Sequence, residues 1–174
     1  TPDTRAARRK NDQGGGRSAI PLREKAVRLA QSLDDRTGEM RALLLLASVK
    51  SYMSDYAGCH GAAQSAWAIA GSIGDEISLS KAERWIGNAL RYQGNKDEAR
   101  RWLQSAYARV HAAGDQRAIS TALIDLGILD EDDGDLKGAF ARFSEGRVIA
   151  ERCVDRGTAE VSSGNLGEVA MGRG

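Results

Sequence analysis

Apolar and small residues recur along this chain with a period of 40. In blocks that end at Asp35, Asp75, Asp115 and Asp155, the eleventh place holds Leu46, Ile86, Leu126 and Leu166, and the twelfth holds Ala47, Gly87, Gly127 and Gly167. The twenty-fourth place is small (Cys59, Ala99, Ala139), the twenty-eighth is Ala63, Leu103 and Phe143, and the thirty-first is Ala66, Ala106 and Gly146. Steps of four and three put these on one helical face. The nineteenth place, Ser54, Gly94, Gly134 and Gly174, interrupts each block, and Asp55, Asn95 or Asp135 follows in the first three. Such residues suit a tight turn. Each block therefore predicts two helices: A from about the third to the seventeenth place, and B from about the twenty-first to the thirty-seventh. Gly74-Asp75 and Gly114-Asp115 close helix B, with glycine as a left-handed cap and aspartate as a start signal for the next helix. Small residues on both helices let the backbones approach, and the large residue at the eleventh place fills the seam.

Self-similarity at such a period marks an array of one supersecondary unit. The blocks give repeat one over 36–75, repeat two over 76–115, repeat three over 116–155, and helix A of a truncated fourth repeat over 156–174. Residues 20–35, with Leu22, Ala26, Leu29, Ala30 and Leu33, read as helix B of an incomplete preceding repeat. Residues 1–19 lack apolar periodicity and carry Arg5, Arg8, Arg9, Lys10 and three successive glycines, so a flexible solvated segment is expected there. The last block stops at its turn residue, Gly174, which reads as a fragment of a longer array with an open C-terminal repeat. The only prolines, Pro2 and Pro21, lie outside the helices of repeats one to three.

The pattern resembles the tetratricopeptide repeat, in which a Leu-Gly pair precedes a small Ala by twelve residues, with an aromatic and another small residue four and seven further on. Gly87 and Ala99, and Gly127 and Ala139, have that spacing, followed by Leu103 and Ala106, and by Phe143 and Gly146. Two departures stand out: the period is 40 where the family's is about 34, and Gly71, His111 and Glu151 replace the proline that usually ends helix B. Both fit a helix B longer by about one and a half turns. Forty-residue versions are similar to the arrays of large bacterial signalling ATPases and transcription regulators, and to spindle-orientation adaptors of animals. The resemblance implies an all-α, right-handed superhelical solenoid of antiparallel helix pairs that binds protein or peptide along the concave face made by its A helices. A sensor array attached to an ATPase or DNA-binding domain, and self-association through the open C-terminal repeat, are alternative readings.

A formal net charge of +1 argues against a dedicated nucleic-acid surface. Cys59 and Cys153 fall at unrelated places, so no disulfide framework is indicated and a reducing, cytoplasmic setting is expected. The longest apolar run, Ala42 to Ala47, is far below the roughly 20 residues of a membrane span. No catalytic, cofactor or metal constellation emerges. His60 and His111 sit at different places, Cys59-His60 lacks a second ligand pair, and Cys59 occupies a packing place. The acidic run Asp130–Asp135 departs from a calcium loop, with Asp135 and Ala141 where glycine and a bidentate acid belong. Acids ending a helix oppose its dipole, a mild cost that the sequence does not explain.

What remains is a surface. Lys81, Arg84, Asn88 and Arg91 step by three, four and three along helix A of repeat two, and thus share a stripe that ends at Tyr92. Cations around an amide suit a carboxylate or an acidic peptide. The resemblance assigns this stripe to the concave wall, matches Asn88 to an asparagine that grips ligand backbone or carboxylate, and puts Lys81 and Arg84 at clamp positions. Repeat one contributes Arg41, Leu44, Ser48, Ser51 and Tyr52, and repeat three Thr121, Ile124, Ile128, Glu131 and Asp132. Trp67 and Trp102 are expected to pack between repeats, whereas Trp85 is placed to line the groove's edge.

Overall fold

The computed structural model describes residues 19–153 together with residues 161, 163, 165 and 166. Helix α1 covers residues 19–32, followed by α2 (Arg36–Tyr52), α3 (Tyr56–Ile73), α4 (Glu76–Tyr92), α5 (Lys96–Ala113), α6 (Gln116–Asp132) and α7 (Leu136–Arg152). Residues 161, 163, 165 and 166 are helical as well. The segment 1–18, and most of 156–174, for which a flexible tail and a fourth helix A are expected, lie outside the described residues. No strand occurs among those described, and none of their helices is long and apolar enough to cross a membrane.

Two aspartate series set the helix starts. Asp35, Asp75 and Asp115 cap α2, α4 and α6, each carboxylate accepting the backbone N–H three residues on at 2.8–3.0 Å. Asp55 and Asp135 do the same for α3 and α7 at 2.9 Å, while Asn95, at the matching place before α5, makes no side-chain cap. Because the cap sits on the last place of each block, helix A begins at the first place, two residues earlier than apolar periodicity alone suggests. Such a cap contributes about 1 kcal/mol.

The residue before each of these caps turns the chain through the left-handed region. Gly74, Gly94, Gly114 and Gly134 have φ of +69° to +87°, and Asp34 and Ser54 hold the same conformation at +53° and +60° without glycine's freedom.

The chain divides into two compact units, one ending at Gln93 and the other starting at Gly94. In the first, α2 packs on α3, α3 on α4, and α2 also touches α4. Its core is built from Met40, Ala47, Cys59, Ala63, Ala66 and Ile86, all fully buried. In the second, α6 lies between α5 and α7 and is buried along most of its length. There the Leu-Gly pair shows its purpose: a Cβ on Gly127 would stand 2.5 Å from Cε1 of Phe143, whose ring is fully buried. On the same seam Ser120 Oγ donates to the Gly146 carbonyl at 2.6 Å.

Candidate functional site

The successive A helices of the first unit, α2 and α4, are divided by burial in the same way. Beyond the first turn, the open residues of α2 at places that are also open on α4 are Arg41, Leu44, Leu45, Ser48, Ser51 and Tyr52, with Lys50 half-buried beside them and paired with Asp55 at 2.8 Å; on α4 they are Lys81, Arg84, Trp85, Asn88, Arg91 and Tyr92. The two sets are offset by 40, so one face of two neighbouring helices is open at equivalent places. Among those twelve residues are four cations and no carboxylate. Lys81, Arg41, Tyr52 and Tyr92 are exposed, and Arg84, Asn88, Arg91 and Ser48 are half-buried. Ser48 spends its proton on its own helix, donating to the Leu45 carbonyl at 2.8 Å, so toward a ligand it offers only lone pairs.

One end of this face is aromatic. The Tyr56 ring, from the start of α3, stacks on Tyr92 with centroids 4.3 Å apart and planes 8° from parallel. The Arg91 guanidinium lies 4.1 Å from the Tyr92 centroid, a cation–π contact that fixes the charge beside the ring. Sequence reasoning missed Tyr56. Its signal is a register rule, in which the twenty-first place of one repeat meets the seventeenth place of the next. The second unit repeats it, where Lys96 donates to the Asp132 carbonyl and pairs with Asp133 at 3.0 Å. Tyr52 is the matching residue of α2 and is 82% exposed.

Thr121 belongs to the second unit, half-buried on α6, and its hydroxyl donates to the Arg117 carbonyl at 3.0 Å. Ile124 corrects an expectation. Rather than lining an open wall it is buried with Ala139 and Phe143, and Ile128, Leu136 and Leu166 pack against that cluster. An apolar side chain at this place has a better use in the core than on a surface.

The acidic run at the end of α6 has a structural explanation. Asp130, 3% exposed, accepts Arg100 Nη1 at 2.6 Å and Arg142 Nε at 2.5 Å, while Arg100 Nη2 reaches Asp133 at 2.8 Å. Hydrogen bonds from Arg100 and Lys96 hold the Asp133 carboxyl below the usual carboxylate range. Cations on α5 and α7 thus neutralise the acids that the helix dipole disfavours. Among the described residues no group of three or more His, Cys, Asp or Glu stands where it could hold a metal ion.

Two other residues singled out by sequence take structural places. Cys59 is fully buried with Sγ 3.8 Å from the Trp85 carbonyl, and desolvation, helped by Asp55, pushes its thiol up to about 11. Trp67 donates through Nε1 to the buried Glu83 carboxylate of α4 at 3.3 Å, joining two repeats.

These helix pairs, caps and Leu-Gly seams define the chain as a TPR-like helical repeat protein. Solved structures with this architecture include BtubC (BKLC) from P. vanneervenii, with a TM-score of 0.68 at 13% identity over 94% of this chain and 76% of that one. A putative kinesin light chain from Podosopora anserina, described by its nearly identical TPR-like repeats, gives 0.68 at 15% identity over 96% and 83%, and a variant of it gives 0.70 at 15% over 96% and 82%. At such identities the likeness is one of fold. No sequence-family model matches the chain, and no curated protein sequence does either.

Proposed function

We propose that the open face of α2 and α4 binds an extended, carboxylate-bearing protein segment, making the chain a non-catalytic interaction module. The observation that carries this reading is the composition of that face: Arg41, Lys81, Arg84 and Arg91 around Asn88, with no acid among its twelve residues. A typical protein surface mixes both signs. Here the helix register has gathered one sign beside an amide able to donate and accept, with Tyr52 and Tyr92 at one end as apolar anchors with a polar tip. In this reading Lys81 and Arg84 hold carboxylates, Asn88 bonds the ligand backbone, and the open Tyr52 ring receives an apolar side chain. Arg91, already over Tyr92, adds charge without having to be ordered.

The test is selection of binders from a random-peptide display library, followed by affinity measurement on the chain and on Arg84→Ala/Asn88→Ala. Enriched peptides should be rich in Asp and Glu. The double variant should bind them at least about tenfold more weakly, since charge-assisted bonds contribute about 1.5–3 kcal/mol each, with its far-UV circular dichroism unchanged. Neutral or basic winners, or equal affinity for the variant, would overturn the assignment.

A further inference from the structure

The aromatic end of the α2–α4 face is completed differently in its two repeats. At the seventeenth place of repeat two, Tyr92 is covered by the ring of Tyr56, which comes from the twenty-first place of repeat one and lies 4.3 Å away and 8° from parallel. The Arg91 guanidinium adds a second contact at 4.1 Å. Tyr52 holds the seventeenth place of repeat one, and the sequence supplies it with neither. One block earlier the twenty-first place is Gly16, which has no side chain, and the sixteenth place of α2 is Ser51 where α4 has its arginine. The position from which a covering ring would come is thus part of the chain, and it is a glycine. Tyr52 is 82% exposed, against 53% for Tyr92.

We infer that Tyr52 stacks an aromatic side chain of the bound segment, in the position that Tyr56 takes on Tyr92. This rests on the proposed binding of a carboxylate-bearing segment by the α2–α4 face, and adds what that segment carries besides its acid. A near-parallel ring already covers the equivalent place of α4, so the end of an A helix has room for one. A guanidinium or ammonium group is the other common cover for a tyrosine face. Here it would approach Arg91, a like charge held at the same end of the face over Tyr92. The segments 1–18 and 154–174 contain no Phe, Tyr or Trp, so neither supplies the ring and it comes from the ligand. The helix also sets a spacing. Arg41 and Tyr52 are eleven residues apart on α2, which is three turns plus about 20°, so they share one side of the helix about 16 Å apart along its axis. An extended segment covers that length in about five residues at roughly 3.3 Å each. The ring therefore lies about five positions from the carboxylate that Arg41 holds, and Leu44, Leu45 and Ser48, all uncharged, line the interval.

Two peptide-display libraries panned on the whole chain test this. One fixes a Glu-Glu pair with about seven random positions on each side, and the other fixes Gln-Gln in its place. The expected result is that the acidic library alone enriches, with Phe, Tyr or Trp at about the fifth position from the pair. Panning on Tyr52→Ala should remove the ring from the winners while keeping the preference for Glu-Glu, and Tyr52→Phe should retain both. One winner and its ring-to-alanine version should differ in affinity at least about fivefold on the chain and less than about twofold on Tyr52→Ala. Because Tyr52 is open to solvent, circular dichroism should be the same for all three proteins. A Glu-Glu library that enriches without a ring at that spacing, with a basic residue there, or with a ring that Tyr52→Ala leaves in place overturns the inference and leaves the proposed acidic ligand standing. Equal enrichment of the Gln-Gln library, or none from either, overturns the proposed function and this inference together.

Discussion

Replacing Asp130 by alanine removes a buried carboxylate on which two guanidinium groups converge. Arg100 and Arg142 reach it from the helices on either side of α6, at 2.6 and 2.5 Å, and only 3% of the residue is exposed. Removing one partner of a buried ion pair costs about 3–5 kcal/mol, because the other charge is left uncompensated. The two arginine side chains keep 29% and 32% exposure, so water recovers part of that loss, and about 2–3 kcal/mol is the expected effect. Urea unfolding followed by circular dichroism should show it as a midpoint lower by roughly 1–2 M, on a slope of about 1–3 kcal/mol per molar. Asp133→Ala serves as a control. That carboxylate is more open to water, so its replacement should move the midpoint far less than Asp130→Ala does. A loss below about 0.5 kcal/mol for Asp130→Ala, the size typical of an exposed pair, would show that the cluster is a surface decoration and sink the explanation given for the acidic run.

Other outcomes follow from the same geometry. Ser54→Gly relieves a φ of +60° and should stabilise the first unit by about 1 kcal/mol, whereas Gly94→Ala at φ +87° should destabilise by a similar amount; thermal melts with opposite shifts check both. Gly127→Ala drives a methyl into the buried Phe143 ring, and after subtracting about 1 kcal/mol of helix propensity should still cost about 1 kcal/mol, recovered by Phe143→Leu; a gain in stability for the single variant contradicts the close-packed seam. The Asp55 carboxyl is held below its usual value by the hydrogen bond from Lys50 and then by the Gly58 amide, and Asp75 by the Ser78 amide and hydroxyl. Since their folded pKa values lie below the unfolded ones, their stabilisation is complete above about pH 4 and is lost as pH falls toward the depressed values. Asp55→Asn/Asp75→Asn should flatten the urea midpoint between about pH 5 and pH 3. Cys59, buried with its pKa near 11, should react with a thiol reagent only as fast as the first unit opens, and more slowly than the half-buried Cys153; equal rates in the native protein would refute that placement.

The repeat fold was legible because it is written four times: an isolated Leu-Gly pair says little, but Leu46-Ala47, Ile86-Gly87, Leu126-Gly127 and Leu166-Gly167 at one spacing leave few architectures. Helix starts were less so, since a period drawn from apolar residues is blind to the first turn, where Asp75 and Asp115 set the boundary through a hydrogen bond. The open faces of α2 and α4 follow from the same register, which is why Lys81, Arg84, Asn88 and Arg91 could be grouped from spacing alone. Pairings between repeats were not legible. The register brings the place of Tyr56 to that of Tyr92, but that two rings stack there, and that Arg100 from the preceding repeat and Arg142 from the same repeat both reach Asp130, depends on the length and shape of the side chains, which the apolar period does not carry. Ile124 shows the converse: its place matched Arg84, but its chemistry sent it into the core.

The central claim is that the face shared by α2 and α4 receives an acidic segment. Amide chemical-shift mapping, with the tightest acidic peptide from the display selection titrated into the labelled chain, tests it most directly. The expected perturbations concentrate at Arg41, Ser48, Tyr52, Lys81, Arg84, Asn88 and Tyr92, and leave the outward side of α3, at Gln64 and Ala68, still. Perturbations centred on α3, or anywhere outside the α2–α4 face, would contradict it.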